Sequence, residues 1–466
     1  MKVLLINPPI RYQGKRRDEI FFPLGLGYVA GALMDQGHEV IALDIHALNL
    51  PDNEVVAFIS NATFDVVGIG AMSTQYNYVK WLSTKIKDIH KDKKIILGWV
   101  LALYSSEIVL KNTDVDVCVI GEGENTIKDL LRCLDNPENV NGLAYKKDGH
   151  IIFTPPRDYI DDLNTLPSIP FDLFPMEMYI ESLSSRFVGD ERTINISAGR
   201  GCPYHCTFCS KSFSGVRLRT VESIVGEIDF LKSRFGIQRV FFLDELLVIN
   251  KKRILSLCEK IRNMNVTWVC QGRINLVDEE ILERMKSAGC VGIGYGVESG
   301  SQKILDAMNK KIDVNRAEEI IKLTKKIGII PILQFIFGYP GENLETIRDT
   351  IDFFRRIDVG EIEFSPITPL PGTELWDYSI QNKIIQDEAG FLEKLDGGYM
   401  GDSPVLVNFT SFSDDELNRL RRWAENTIRL NYIKRHPFRI IEAIHSEMRK
   451  EGIRHTYQKI KRRLSF

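Results

Sequence analysis

The chain has 466 residues, 44% of them hydrophobic and 26% charged, a balance that excludes an extensively disordered or fibrous protein and leaves room for roughly two to four domains. Sixty Lys and Arg against 63 Asp and Glu leave a net charge of −3, so neither a basic field for nucleic acid nor an acidic solvating tail is present. Eight cysteines are too few for a disulfide scaffold in so long a chain, and three of them are crowded into positions 202–209.

The first nine residues, MKVLLINPP, enter a strand-like run with no basic leader and no cleavage site, which predicts a cytoplasmic protein. The uncharged apolar run Ile20–Met34, with 15 residues, is too short to span a membrane. From Met1 to about Ile120, β-branched runs at Val3–Asn7, His38–Leu43, Val66–Gly70, Lys94–Leu97 and Val115–Ile120 alternate with helical stretches. That alternation predicts an α/β domain over 1–150, a doubly wound parallel sheet with ligand sites beyond its strand carboxyl ends. The loops after Asn7, Gly70 and Leu97 and the segment Gly121-Glu-Gly-Glu124 are then the candidate binding edge.

Residues 151–190, with five prolines between Pro155 and Pro175, read as a linker. Six further strands are predicted over 191–393, at Thr193–Ser197, Arg239–Leu243, Val266–Gln271, Val291–Val297, Pro331–Phe337 and Glu361–Ser365, with helices such as Val221–Phe235 between them. Six βα units fit a partial barrel whose active site lies at the strand carboxyl ends. Over 394–466 the pattern turns helical, opened by the capping box Ser413-Asp-Asp-Glu416. The last 33 residues carry ten Lys/Arg against three Glu and read as a solvated helix face.

The chemistry is concentrated in Gly201-Cys202-Pro-Tyr-His-Cys206-Thr-Phe208-Cys209, a C-x3-C-x2-C spacing just after the first barrel strand. Three thiolates on one loop suit a soft metal centre, and three ligands leave one iron of a four-iron cluster open for a substrate. The competing reading is a closed zinc site completed by His205, Cys258, Cys270 or Cys290, and hence a non-catalytic metal-binding scaffold; the three later cysteines otherwise read as small buried hydrophobes.

With this spacing, an aromatic before the third cysteine and six βα units, the sequence resembles the radical S-adenosylmethionine (SAM) superfamily. The resemblance implies a [4Fe-4S] cluster on Cys202, Cys206 and Cys209, reductive cleavage of SAM to methionine and a 5′-deoxyadenosyl radical, and an electron donor such as flavodoxin or ferredoxin. It also implies SAM contacts at Phe208, at Asp244 or Glu245 after the second strand, at Arg273 after the third, at Glu298 and Ser299 after the fourth and at Gly338 after the fifth. Pro369-Leu-Pro-Gly-Thr-Glu374 resembles the family segment after the sixth.

Together the two halves resemble the class with an N-terminal cobalamin-binding domain, through Pro23-Leu-Gly-Leu-Gly27, Gly37-His-Glu-Val40, Ser73-Thr-Gln75 and Ile120-Gly-Glu-Gly-Glu124. Ser73, Thr74, Gly98, Gly121 and Glu122 are the cobalamin contacts this implies. The family's Gly-Gly-Pro-His loop is replaced here by Gly98-Trp99-Val-Leu-Ala-Leu103, whose indole would crowd a corrin, and His46 of Asp44-Ile-His46 reads as a loop histidine, not as a cobalt ligand. Two activities on a small-molecule substrate follow: cobalamin-dependent C-methyl transfer, or a cobalamin-independent dehydration, epimerisation or cyclisation with an empty N-terminal domain.

Overall fold

The structure, a computed structural model, describes residues 1–437 apart from 13–14, 17–19, 185–190, 214, 361, 363 and 397–402. Most of the basic tail and part of the region expected to be helical beyond 394 lie outside the described residues.

The amino-terminal runs form parallel strands β1 (Lys2–Asn7), β2 (Glu39–Asp44), β3 (Val66–Gly70), β4 (Lys94–Gly98) and β5 (Val117–Val119), in the spatial order β2-β1-β3-β4-β5. Val3–Asn7 is buried at every position, because helices cover both faces of the sheet. These are α1 (Leu24–Asp35), α2 (Asp52–Asn61), α3 (Tyr76–Ile89), α4 (Trp99–Asn112) and α5 (Gly123–Arg132). Two antiparallel strands, β6 (Leu143–Lys147) and β7 (His150–Phe153), widen the sheet to seven. They were not expected, yet Asp148-Gly149 between them, both at positive φ, is the chemistry of a tight hairpin turn.

The supposed linker over 151–190 is corrected in two places. It opens within β7, and it carries helix α6 (Met176–Ser184), whose Met176, Tyr179, Ile180 and Leu183 are all buried. Those four residues follow helical spacing, a signal masked by the prolines before them.

The second sheet has β8 (Thr193–Ile196), β9 (Arg239–Phe242), β10 (Thr267–Gly272), β11 (Cys290–Glu298), β12 (Ile330–Phe337) and β13 (Phe364–Pro366), all parallel and adjacent in chain order. It is the expected partial barrel. Helices α7 (Val221–Phe235), α8 (Lys251–Ile261), α9 (Glu279–Ser287), α10 (Gln302–Ala307), α11 (Val314–Ile327) and α12 (Leu344–Ile357) link the strands, followed by α13 (Glu374–Gln381), α14 (Glu388–Lys394) and α15 (Asp414–Arg435). α7 has the expected bounds because the Thr220 side chain accepts the Ser223 N–H at its start and Gly236, at φ +66°, ends it. Beyond 394 the expectation of continuous helix holds only from Asp414, where the Ser413–Glu416 capping box forms; residues 403–413 run without helix.

One apolar cluster runs through both domains, from Val3, Leu5 and Phe22 through Tyr179 to Ile194, Phe242 and Trp268. At its centre the Asn195 carboxamide on β8 mimics a peptide group, accepting the Phe22 N–H at 2.8 Å and donating to the Phe22 carbonyl at 3.0 Å. Tyr179 reaches back to donate to Asp44 at the end of β2. Burial of this size fixes the two sheets relative to each other, and loops beyond their carboxyl ends touch: Glu122 after β5 is bonded to Arg200 and Arg217 on the loop after β8, and Tyr104 of α4 donates to the Lys211 carbonyl of that same loop. No described helix is long and apolar enough to cross a membrane.

Candidate functional site

The loop after β8 is closed at its neck before it reaches the cysteines. Gly199–Arg200 pairs antiparallel with Arg217–Leu218, and a Cβ at Gly201, whose φ is +92°, would fall 2.1 Å from the Gly215 carbonyl. Only glycine fits there. Within the loop Cys209 N–H donates to the Cys206 carbonyl at 3.2 Å, Thr207 N–H to the Met308 carbonyl at 3.1 Å, and the Asn309 amide to the His205 carbonyl at 2.6 Å. Leu375 N–H at the start of α13 donates to the Thr207 carbonyl. Backbone bonds to two other loops thus hold the cysteine turn.

All three thiols are free, Cys202 and Cys206 half-buried and Cys209 exposed. Desolvation and the neighbouring Cys206 and Cys202, against the opposing Lys310, push the Cys209 thiol up to about 11. The Cys209 thiol therefore keeps its proton at neutral pH unless a bound cation replaces it, as happens when a thiol becomes a metal ligand. Cys258, Cys270 and Cys290 lie elsewhere, buried and neighbouring one another in the barrel wall, and His205 faces Lys211 at 3.2 Å. Among the described residues no three His, Cys, Asp or Glu side chains, the three thiols included, are gathered as they stand into a group that could hold a metal ion. The donor set fits an open iron–sulfur cluster better than a filled zinc shell.

Around this loop stand the other strand ends. Asp244 is buried, with both oxygens within 2.9 Å of the Ala198 N–H, and burial raises its carboxyl to about 7. Glu245 is exposed and accepts the Gly201 N–H at 3.2 Å, so of the two acids it is Glu245 that faces the mouth beside the cysteines. A register shift between Gly296 and Glu298 ends β11, and Glu298 takes φ +72°, an uncommon conformation for a residue with a side chain. The bulge turns its carboxylate to Lys310 Nζ at 2.7 Å. Lys310 also lies 5.7 Å from the Phe208 ring centre, and Arg273 donates to the Lys310 carbonyl while stacking 3.5 Å from the Tyr204 ring centre. The Arg273 Nε is buried without a hydrogen-bond partner.

Lys310 was missed by sequence reading because it belongs to a loop between short helices and not to a strand end. Its signal was the pair of residues with positive φ around it, Asn309 and Lys311, which only coordinates reveal. Ser299 is fully buried, its hydroxyl accepting the Ser301 N–H at 3.1 Å and lying 3.4 Å from Thr350 Oγ1, so it is occupied in shaping the start of α10.

Gly338, at φ +86°, donates its N–H at 2.5 Å to Glu342, whose carboxyl burial raises to about 7. The native state therefore holds a proton there that an unfolded Glu, with pKa about 4.3, has lost, and stability falls as pH rises between those values. Glu342→Gln is expected to raise the unfolding free energy on the order of 2–3 kcal/mol at pH 8 and to change it little at pH 4, by urea denaturation at the two pH values. Equal destabilisation at both would refute a protonated Glu342.

On the facing sheet Ser73 and Thr74 are buried after β3, and the hydroxyls of Thr74, Tyr76 and Ser105 are buried without hydrogen-bond partners. Gln75 donates at 2.5 Å to the Pro8 carbonyl across the point where strand order reverses. Such orphaned groups suit the amides and nucleotide tail of a cobalamin. Trp99, directly after Gly98, is 45% exposed at φ +71°. A bulky residue held there is strained, and strain of that kind gathers at ligand sites. His46 is buried, its Nδ1 accepting the Ile10 N–H at 3.2 Å. Gly121 has φ +90°, whereas Glu122 is turned away to the barrel and bonded to Arg200 and Arg217. Burial alone would raise its carboxyl, but Arg217, the Ile160 N–H and Arg200 hold it below the usual range.

A cavity of about 640 Å³ lies at the opposite end of the barrel, between Gly236–Gln238 and Lys286–Gly289. That face of a barrel carries stability and not chemistry.

Comparison with known proteins agrees with this geometry. Residues 196–354 match the radical SAM superfamily and residues 15–131 the B12 binding domain. An uncharacterised methyltransferase of Pyrococcus horikoshii is 32% identical over 396 residues, 83% of this chain and 84% of that protein. Anaerobic magnesium-protoporphyrin IX monomethyl ester cyclase of Rubrivivax gelatinosus is 28% identical, over 81% of this chain and 69% of its own, and cytidylyl-2-hydroxyethylphosphonate methyltransferase of Streptomyces wedmorensis 26% identical over 83% of each. The fold is that of the radical S-adenosylmethionine methyltransferase TsrM from Kitasatospora setae, solved with cobalamin and a [4Fe-4S] cluster, at a TM-score of 0.68 and 18% identity over 82% of this chain and 78% of that one. An open thiol triad at the mouth of a six-stranded barrel, faced by the carboxyl edge of a doubly wound sheet, thus has its counterpart in sequence, and the chain belongs to the radical SAM superfamily of enzymes, in the class with an amino-terminal B12-binding domain.

Proposed function

We propose that the protein is a cobalamin-dependent radical SAM C-methyltransferase acting on a small molecule in the cytoplasm, with electrons drawn from a flavodoxin- or ferredoxin-type donor. The observation that carries the reading is the contact of the Glu122 loop and Tyr104 of the amino-terminal domain with the cysteine loop of the barrel, since methyl transfer through cobalt needs both cofactors to address one substrate. When bound, the [4Fe-4S] cluster supplies the electron that splits SAM into methionine and a 5′-deoxyadenosyl radical, and cobalamin carries the methyl group.

In this reading Cys202, Cys206 and Cys209 hold the cluster, and Glu245 at the loop neck receives the ammonium of SAM. Arg273 and Lys310 bring positive charge to the same mouth, where a carboxylate is favoured. Glu298, fixed by Lys310, faces the ribose hydroxyls, and the bare Gly338 backbone admits adenine. Ser73, Thr74, Gly98 and Gly121 would frame the cobalamin, with Trp99 beside them; His46 would not reach it, its Nδ1 being engaged by the Ile10 N–H.

A second reading, cyclisation or another rearrangement with the N-terminal domain empty, is favoured by the same Trp99 and by the cyclase among the relatives. Anaerobic incubation with SAM carrying a trideuterated methyl group, a reductant and a cell metabolite extract separates the two. Methyl transfer requires hydroxocobalamin bound to the purified protein and a product three deuteriums heavier than the methyl product from ordinary SAM. Formation of 5′-deoxyadenosine without bound cobalamin or labelled product would overturn it in favour of rearrangement.

A further inference from the structure

We propose that Glu122 and Glu124 of the B12-binding domain form a clasp on the neck of the cluster loop, acting as positioning residues for the iron–sulfur site and not as contacts of cobalamin. The inference rests on superfamily membership alone and not on methyl transfer.

Arg200 and Arg217 sit directly opposite each other in the two-residue ladder that closes the neck, and Arg200 is two positions before Cys202. Two guanidiniums facing each other across a ladder repel. They are held together from the other domain. Arg200 donates to Glu122 Oε1 at 2.5 Å and, through its other amino group, to Glu124 Oε1 at 2.5 Å. Arg217 Nη1 donates to both Glu122 oxygens, at 2.9 and 2.8 Å, and to the Ile160 carbonyl at 2.7 Å. The side chains of Arg200, Arg217, Glu122 and Glu124 are only 10%, 12%, 2% and 5% exposed. Two negative charges therefore balance two positive ones in a dry pocket, roofed by Tyr28 and Phe213 over Arg200 and by Tyr159 over Arg217.

The lone pairs of Glu122 decide its assignment. Oε1 accepts from Arg200 and Arg217, and Oε2 accepts from Arg217 and from the Ile160 N–H at 2.6 Å. A carboxylate offers about four acceptor sites, and all are taken. None remains for an amide of a corrin. Removing the charge of Glu122 would leave two buried guanidiniums facing each other with only the Glu124 carboxylate, on Arg200, between them, so the neck would loosen and the thiols with it.

The test uses reconstituted holoprotein with a full cluster. Iron release to a chelator is followed together with hydroxocobalamin binding, the electron paramagnetic resonance of the reduced cluster, and near-ultraviolet circular dichroism to establish folding. E122Q is expected to lose iron at least about tenfold faster than the natural protein and to show an altered resonance, with cobalamin affinity within about twofold. E124Q, which removes one of the two carboxylates on Arg200 and leaves Glu122 in place, is expected to show a smaller rise, and it serves as the test if E122Q does not fold. In the double variant E122Q/R217Q the repulsion is gone and iron retention returns most of the way. Natural iron release and resonance from E122Q or E124Q, or lost cobalamin affinity with iron retention unchanged, would overturn the clasp. Failure of the natural protein to bind cobalamin would sink the methyl-transfer reading and leave the iron measurement intact.

Discussion

Cys206→Ala is expected to leave the anaerobically purified protein with close to no iron, against about four iron and four sulfide per chain in the natural protein, and to reduce 5′-deoxyadenosine formation to background. Cys206 is the middle cysteine of the triad, and its carbonyl accepts the Cys209 N–H, so the two thiols share one turn. Its loss leaves two thiols, Cys202 and Cys209, seven positions apart, too few to retain a cube with an open corner. Metal analysis and chromatographic assay of the nucleoside after dithionite reduction measure both effects. A natural protein that holds one zinc per chain and no iron would refute the enzyme assignment as a whole, because a filled tetrahedral shell offers SAM no site.

Lys310→Met is expected to lower the unfolding free energy by about 3 kcal/mol, because it strands the Glu298 carboxylate without its cation in a site that water scarcely reaches. Adding Glu298→Gln should recover most of that loss, the coupling expected of a buried pair 2.7 Å apart. Chemical denaturation of the four proteins completes the cycle. Additive losses would show that Lys310 stabilises the mouth by another route, such as its position over the Phe208 ring. SAM affinity, followed by equilibrium dialysis, should fall in both single variants if Glu298 faces the ribose.

Features that depend on neighbours in the chain were legible without coordinates. The C-x3-C-x2-C spacing is one, since ligands on a single turn must lie within a few residues. The strand alternation is another, since buried parallel strands select β-branched residues wherever they fall, as in Val3–Ile6 and Ile194–Ile196. α7 was readable to its ends because Thr220 and Gly236 mark them. Less visible were the β6–β7 hairpin, signalled only by Asp148-Gly149, and α6, whose four buried residues follow a run of prolines.

The candidate site divides along the same line. By itself the sequence determined the thiol triad, the two α/β halves, and which strand ends carry acids, glycines and Arg273. Only the tertiary structure separates Asp244, buried on the Ala198 N–H, from Glu245, exposed at the neck; it turned Glu122 toward Arg200 and Arg217, and it brought Lys310 to Glu298. The reason is physical. A residue's type and spacing fix which bonds it is able to make, but when a carboxylate has several cations within reach of the fold, burial and the geometry of packing select the one it keeps.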